Sequence, residues 1–160
     1  MQINKILFIT LSNIGDSILT LPALDILTDN FPKAQITVLV GVRPKEIFHG
    51  NPHIARVIIY NKRFGLKEKI KLFRALKNER FDMVVDLRNT FLGAILPAKC
   101  KISPFLIIPK EIRHMKDRHL FRLRTLSPHL KNRFSVLRNS LHIKPEDEEY
   151  IKNILRENNI

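Results

Sequence analysis

Apolar positions along the first hundred residues form short continuous runs that alternate with helical stripes. Ile6-Leu7-Phe8-Ile9 is such a run, and Lys5 to Thr10 is predicted as a strand buried on both faces, since it lacks polar alternation. A helix is predicted from about Gly15 to Asn30, with Ile18, Leu21, Leu24 and Leu27 recurring at intervals of three on one face. Pro22 predicts a kink or a restart inside it, and Phe31-Pro32 its end. Gln35 to Val40 reads as a second strand, Pro44 as the first turn of a short helix to His49, and Val57 to Tyr60 as a third strand. Leu66 to Arg80 reads as an amphipathic helix. Ile70, Phe73 and Leu76 are expected inward, with Leu66 a candidate fourth, and Lys67, Lys69, Lys71, Arg74 and Lys77 outward. Phe81 to Leu87 reads as a fourth strand, followed by a short helix from Thr90 to Leu96.

Strands alternating with helices predict βαβ units and a mostly parallel α/β sheet flanked by helices. Beyond Cys100 the pattern weakens. Phe105 to Ile108 is the candidate for a further strand, and helices are expected at Lys110 to Leu126 and Leu130 to Leu141. The last segment places Glu146, Asp147, Glu148 and Glu149 before Lys152 and Arg156, matching the helix dipole, so a terminal helix is expected from Pro145 to about Asn158. No repeat, low-complexity tract or linker divides the chain.

Composition narrows the class. With 160 residues and 44% hydrophobic side chains, the chain suits one globular domain and excludes a disordered one. The lone Cys100 rules out an internal disulfide and suits a reducing compartment. The apolar run after Met1-Gln2-Ile3-Asn4-Lys5 is too short for a signal peptide or a bilayer span, so a soluble cytoplasmic protein is expected. The formal net charge is +13, and the stretch from Lys99 to Arg138 carries most of the excess, with eleven basic residues against Glu111 and Asp117. Such a field attracts nucleic acid, anionic lipid or phosphorylated sugars, or is simply a solvated basic surface.

The candidate chemistry lies in the loop Leu11-Ser12-Asn13-Ile14-Gly15-Asp16-Ser17. It follows the first strand and opens the first helix, so Asp16 falls at the C-terminal edge of the sheet, where open α/β folds bind ligands. Asp16 reads either as a general base or as a helix N-cap, and the pattern alone favours the cap. Gly15 admits close ligand approach, a positive φ or a plain turn. Ser12 and Asn13 can bond ligand hydroxyls or the loop's own backbone. Neither Gly-x-x-x-x-Gly-Lys nor Gly-x-Gly-x-x-Gly occurs, which argues against ATPase and dinucleotide chemistry. Lys62 and Arg63 follow the third strand and Arg88 and Asn89 the fourth, on the same edge as Asp16. Asp86 reads as a buried acceptor that orients the loop after it. Histidines 49, 53, 114, 119, 129 and 142 show no metal-ligand spacing.

Several blocks in order resemble one family. Lys5-Ile-Leu-Phe-Ile-Thr-Leu-Ser-Asn-Ile-Gly-Asp-Ser-Ile-Leu-Thr-Leu-Pro-Ala-Leu is similar to the N-terminal signature of glycosyltransferase family 9, the lipopolysaccharide heptosyltransferases. Asn30-Phe-Pro-Lys-Ala-Gln-Ile-Thr-Val-Leu-Val, Gly50-Asn-Pro-His-Ile-Ala-Arg-Val-Ile and Phe81-Asp-Met-Val-Val-Asp-Leu resemble later blocks, and His114-Met-Lys-Asp-Arg resembles a His-x-x-Asp/Glu-Arg element. The resemblance implies the Rossmann-like, acceptor-side N-terminal domain of a GT-B enzyme across residues 1–160, with the C-terminal donor-binding domain absent from them. It implies inverting transfer from a nucleotide sugar of the ADP-heptose type to a lipopolysaccharide inner-core acceptor, with no metal and no cofactor. It favours Asp16 as the base, a role compatible with capping. It implies acceptor contacts from Ser12, Asn13, Gly15, Lys62, Arg63, Arg88, Asn89, Arg113, His114 and Arg118, although an ion pair with Asp117 is an alternative for Arg118. A lipid-linked acceptor implies docking at the inner face of the cytoplasmic membrane. Two other readings stand beside this one. One is a non-catalytic remnant or half-enzyme scaffold. The other is a basic nucleic-acid module, against which stand the missing motifs and the shortage of stacking aromatics, two tyrosines and no tryptophan.

Overall fold

The structure, a computed structural model, describes residues 2–130, 141–143 and 145–157. Its centre is a five-stranded, all-parallel sheet: β1 (Lys5–Thr10), β2 (Gln35–Gly41), β3 (Ile54–Tyr60), β4 (Met83–Asp86) and β5 (Cys100–Lys101), in the spatial order β3-β2-β1-β4-β5. β1 is central because the chain builds outward from it in both directions. Ile9 pairs with Leu39 on one side and Asp86 on the other.

Alternate residues of each strand serve opposite faces. Ile6 and Phe8 of β1 join Val38, Met83 and Val85 in a core closed by α2 (Leu21–Asn30) and α5 (Met115–Arg124), through Leu24, Leu27, Leu120 and Leu123. Leu7, Ile9, Leu39 and Val84 face the other way. They are covered by α3 (Leu66–Asn78) and α4 (Phe91–Ile95), chiefly through Leu72, Phe73, Leu76 and Leu92. Burial on both faces is why the central strands β1 and β4 read as unbroken apolar runs, while the edge strand β3 has no fully buried residue. The α/β sheet flanked by helices is the fold the periodicity predicts.

Of the kink or restart expected at Pro22, the structure has the restart: α1 (Ile14–Ile18) and α2 are parted at Leu19-Thr20, where the Thr20 hydroxyl donates to the Ser17 carbonyl at 2.6 Å. Pro22 sits in the first turn of α2, where its missing N–H costs nothing. Four other local expectations are corrected. The break rotates Ile18 out of the buried stripe to 40% exposure, while Leu21, Leu24 and Leu27 are buried. Leu66 and Ile70 are exposed, because the first turns of α3 run past the edge of the core, and only Leu76 of that helix is fully buried. Phe105 to Ile108 is no strand; Phe105 and Ile107 stand 88% and 87% exposed, and the fifth strand is the two-residue Cys100–Lys101 pairing with β4. α5 begins at Met115 rather than at Lys110. The expected helix from Leu130 to Leu141 lies outside the described residues apart from its ends. The terminal helix α6 (Pro145–Glu157) has the expected dipole pattern. Among the described residues, no helix is long and apolar enough to cross a membrane.

Candidate functional site

Strand order reverses direction at β1. β2 and β3 extend the sheet to one side, β4 and β5 to the other, so the crevice beyond the carboxyl ends of β1 and β4 is the fold's topological switch point. The residues leaving those two strands meet there. Asp16 belongs to the first turn of α1, and Arg88 to the loop after β4. The Arg88 Nη1 lies 3.3 Å from Asp16 Oδ2. Both side chains are about a third exposed, at 32% for Asp16 and 31% for Arg88, so the pair borders solvent. Asp16 Oδ1 accepts no hydrogen bond among the described residues.

The N-cap alternative for Asp16 is not what the structure has. The cap position of α1 is Asn13, which makes no side-chain cap bond, and Asp16 lies three residues further on. Gly15 does not have the positive φ considered for it; Gly50 is the glycine in that region among the described residues. A methyl group on Gly15 would meet nothing within 4 Å, so the space before it is open.

Asp86 holds the loop that presents Arg88. Its Oδ1 accepts from the Arg88 amide at 2.9 Å. Its Oδ2 accepts from the Thr90 amide and hydroxyl at 2.6 and 2.8 Å. Burial pushes this carboxyl above the usual carboxylate range, against the pull of the Thr90 and Arg88 bonds. The Thr90 hydroxyl in turn accepts from the Gly93 amide and caps α4. A side chain on Gly93 would collide with the Asp86 carboxylate, so α4 approaches the strand end only with glycine there. Asn89 adopts φ 54°, a left-handed conformation Asn tolerates, and its amide donates to the Pro104 carbonyl at 3.0 Å.

The other expected residues divide into two groups. Ser12, Asn13, Lys62 and Arg63 line a cleft of about 460 Å³ beyond β1 and β3, together with Arg43 and Tyr60. The Ser12 hydroxyl is shielded from solvent and has no partner among the described residues. Next to this cleft, a wider one of about 590 Å³ between α3 and α4 is lined mostly by Leu66, Ile70, Phe73, Phe91 and Ile95, with Lys62 and Lys69 among its walls. On the other side of Asp16, α5 brings Arg118 toward Arg88. Arg118 Nη1 donates to the Ile112 carbonyl at 3.2 Å rather than pairing with Asp117. His114 occupies the N-cap position of α5 without a side-chain cap bond and lines a recess with Ile18 and Leu19, while Arg113 is exposed on the preceding loop.

Two residues of this second group escaped the sequence reading. His119, 1% exposed, and Arg122 lie with Arg88 and Arg118 around a pocket of about 130 Å³. Burial and then the neighbouring Arg88 bring the His119 pKa from 6.5 down to about 4, against Asp16 and a loose approach to the Leu87 carbonyl. The imidazole is therefore neutral at ordinary pH. Burial also lowers the Arg122 pKa, partly offset by Asp86. The available signal was spacing: Met115, His119 and Leu123 recur at i and i+4, placing His119 on the inward face of α5.

Comparisons with known proteins agree with this architecture. No protein-family model matches the sequence. Over 98 residues the chain is 35% identical to lipopolysaccharide heptosyltransferase 3 of Escherichia coli K12, covering 56% of this chain and 28% of that protein. Over 128 residues it is 29% identical to the lipopolysaccharide core heptosyltransferase OpsX of Haemophilus influenzae, covering 78% of this chain and 36% of that one. Its fold is similar to a glycosyl transferase family 9 structure from Veillonella parvula, with TM-score 0.78 and 20% identity over 100% of this chain and 51% of the other. It is also similar to E. coli ADP-heptose lipopolysaccharide heptosyltransferase II, with TM-score 0.69 and 19% identity over 94% of this chain and 50% of the other. The chain thus spans about half the length of these solved proteins, and the sequence matches span 28% and 36% of the curated relatives.

Proposed function

We propose, from the premise that this chain is a heptosyltransferase-like glycosyltransferase domain of the family 9 type, that it forms the acceptor-side half of an inverting sugar transferase. The observation that carries the proposal is the Asp16 carboxylate at the switch point, held through one oxygen by Arg88 and open at the other. In the reaction, an acceptor hydroxyl attacks the anomeric carbon of a nucleotide sugar of the ADP-heptose type. Asp16 Oδ1 takes the hydroxyl proton as the new glycosidic bond forms. The bond from the anomeric carbon to the diphosphate oxygen breaks on the opposite face, so the nucleoside diphosphate leaves with the bonding electrons and the centre inverts. Electron deficiency at the sugar carbon in the transition state makes a carboxylate sufficient as base.

Acceptor recognition falls to the groups around this carboxylate. Ser12, Asn13, Lys62 and Arg63 line the cleft beyond β1 and β3, Arg88 and Arg118 share a pocket with α5, and His114 lines a recess beside α1, with Arg113 exposed on the loop before it, Gly15 leaving room and Asn89 shaping the loop after β4. Their cationic character fits the carboxylates and phosphates of an inner-core saccharide. A lipid-linked acceptor would bring the domain to the inner face of the cytoplasmic membrane as a peripheral protein. The nucleotide sugar would be held by a C-terminal domain, on the same or a separate chain. Exposed Ile14, Val42 and Phe91, which follow β1, β2 and β4, give this edge an apolar surface that supports a facing domain.

The test joins the chain to a family 9 C-terminal domain and assays sugar transfer. Asp16→Asn should lower turnover by a hundredfold or more, the order expected for loss of a general base, with folding preserved. Unchanged turnover in a folded variant would refute the assignment.

A further inference from the structure

Three guanidinium groups share one pocket beside the Asp16–Arg88 pair; the sugar-transfer reading uses Arg88 and Arg118 and leaves Arg122 and His119 without a role. Arg88, Arg118 and Arg122 line the pocket of about 130 Å³, with His119, Leu87, Ile108 and Met115 completing its wall. Their charges are only partly met. Arg88 pairs with Asp16 at 3.3 Å, and Arg118 is bonded to the Ile112 carbonyl. Asp86 acts on Arg122 by attraction at a distance, and its carboxylate oxygens are taken by the Arg88 and Thr90 backbone and the Thr90 hydroxyl. The Arg122 Nη1 is shut off from solvent and has no hydrogen-bond partner among the described residues. Both ring nitrogens of His119 are likewise buried and lack a well-formed hydrogen bond among the described residues, the Leu87 backbone making only the loose approach described above. A buried guanidinium nitrogen without an acceptor is costly, and so is an unbonded buried imidazole. Two such groups lining one small pocket, beside two further arginines, point to a missing acceptor.

We infer that this pocket is an oxyanion site, taking a phosphate or carboxylate group against Arg122, Arg118 and Arg88, with the His119 ring as an additional N–H donor. Three guanidinium groups against the Asp16 and Asp86 carboxylates leave one positive charge, which a monoanion neutralises. The site is built on α5, behind the face that carries Asp16. A group seated there lies beside the proposed base and fixes the orientation of whatever molecule carries it. Its assignment to the acceptor rests on the reading above. Anion binding itself does not, and it is measured without donor, acceptor or turnover.

The experiment uses the chain alone in chloride buffer at constant ionic strength, titrated with inorganic phosphate and separately with acetate, and read by calorimetry and thermal melting. The chain should bind at least one of the two, and that anion should raise its melting temperature. Arg122→Met should weaken this binding about tenfold or more, the loss expected for a charge-assisted hydrogen bond. Without the anion, Arg122→Met should melt at or above the unsubstituted chain, because a half-buried guanidinium with a shielded, unbonded nitrogen has been removed. Arg74→Gln, on the exposed face of α3, should bind as the unsubstituted chain does. Arg118→Gln provides a second test of the pocket should Arg122→Met fold poorly. Binding of neither anion, or equal binding by the pocket variants and the unsubstituted chain, would overturn the inference. Intact anion binding alongside an active Asp16→Asn enzyme would refute the base assignment and leave this site standing.

Discussion

Arg88 Nη1 sits 3.3 Å from Asp16 Oδ2, joining the segments that leave β1 and β4 across the reversal of strand order. Seventy-two residues separate the two in sequence, and the sheet alone brings them together. Because each side chain is about a third exposed, solvent screens the pair and its worth to stability is small. Its consequence is positional: it holds one carboxylate oxygen and leaves the other without a hydrogen bond among the described residues.

Arg88→Gln should therefore change melting by less than about 1 kcal/mol, while lowering kcat in an enzyme completed with a donor domain. Arg88→Lys should recover part of the loss, since a single nitrogen makes the contact. Kinetics of the two variants check this. A loss confined to KM would mean that Arg88 binds acceptor without positioning Asp16.

The loop that carries Arg88 depends on a close approach between Asp86 and Gly93. Gly93→Ala places a methyl against the Asp86 carboxylate and should cost about 1–3 kcal/mol. Asp86→Ala leaves the Arg88 and Thr90 amides without their acceptor and should cost a similar amount, on the order of 1–3 kcal/mol. Denaturant melts give the loss. Amide exchange at Arg88 and Thr90 should quicken in both variants if Asp86 holds the loop.

His119 sets a pH dependence. Folded, it titrates at about 4 against an ordinary 6.5, because burial and then Arg88 disfavour the imidazolium; Asp16 and Arg122 also face it. The unfolded chain therefore takes up the proton first as pH falls below 6.5. Stability contributed by the neutral ring is complete above that value and is lost progressively toward pH 4, by up to about 3 kcal/mol. Melts between pH 7 and 4 should show a shallower decline for His119→Gln than for the unsubstituted chain. Parallel curves would remove His119 as the source.

The sequence displayed the sheet because its central strands β1 and β4 are buried on both faces, and an unbroken run such as Ile6 to Ile9 admits little else. It misled at Ile18, where an interval of three continued across a break that the Thr20 hydroxyl makes, and at Ile70, where an apolar stripe runs beyond the core it serves. Cys100–Lys101 offered no strand pattern, since two residues joined to a neighbour only through backbone carry none. Asp16, Lys62 and Arg88 were recognisable as edge residues because each follows a strand. That Arg88 reaches Asp16 while Lys62 and Arg63 line a separate cleft depends on the order of strands across the sheet, which local periodicity does not encode. Arg122 looked like one more charge on a basic helix, and only the turn of α5 against β4 reveals its unbonded nitrogen.

The most direct test of the central claim is to titrate the isotopically labelled chain with a phosphorylated inner-core saccharide and follow its backbone amide resonances. The largest changes should fall on Ser12 to Ser17 and on Leu87 to Thr90, and Asp16→Asn should retain binding while lowering transfer about a hundredfold or more in the completed enzyme. Changes confined to other surfaces, with both segments undisturbed at saturation, would contradict the claim.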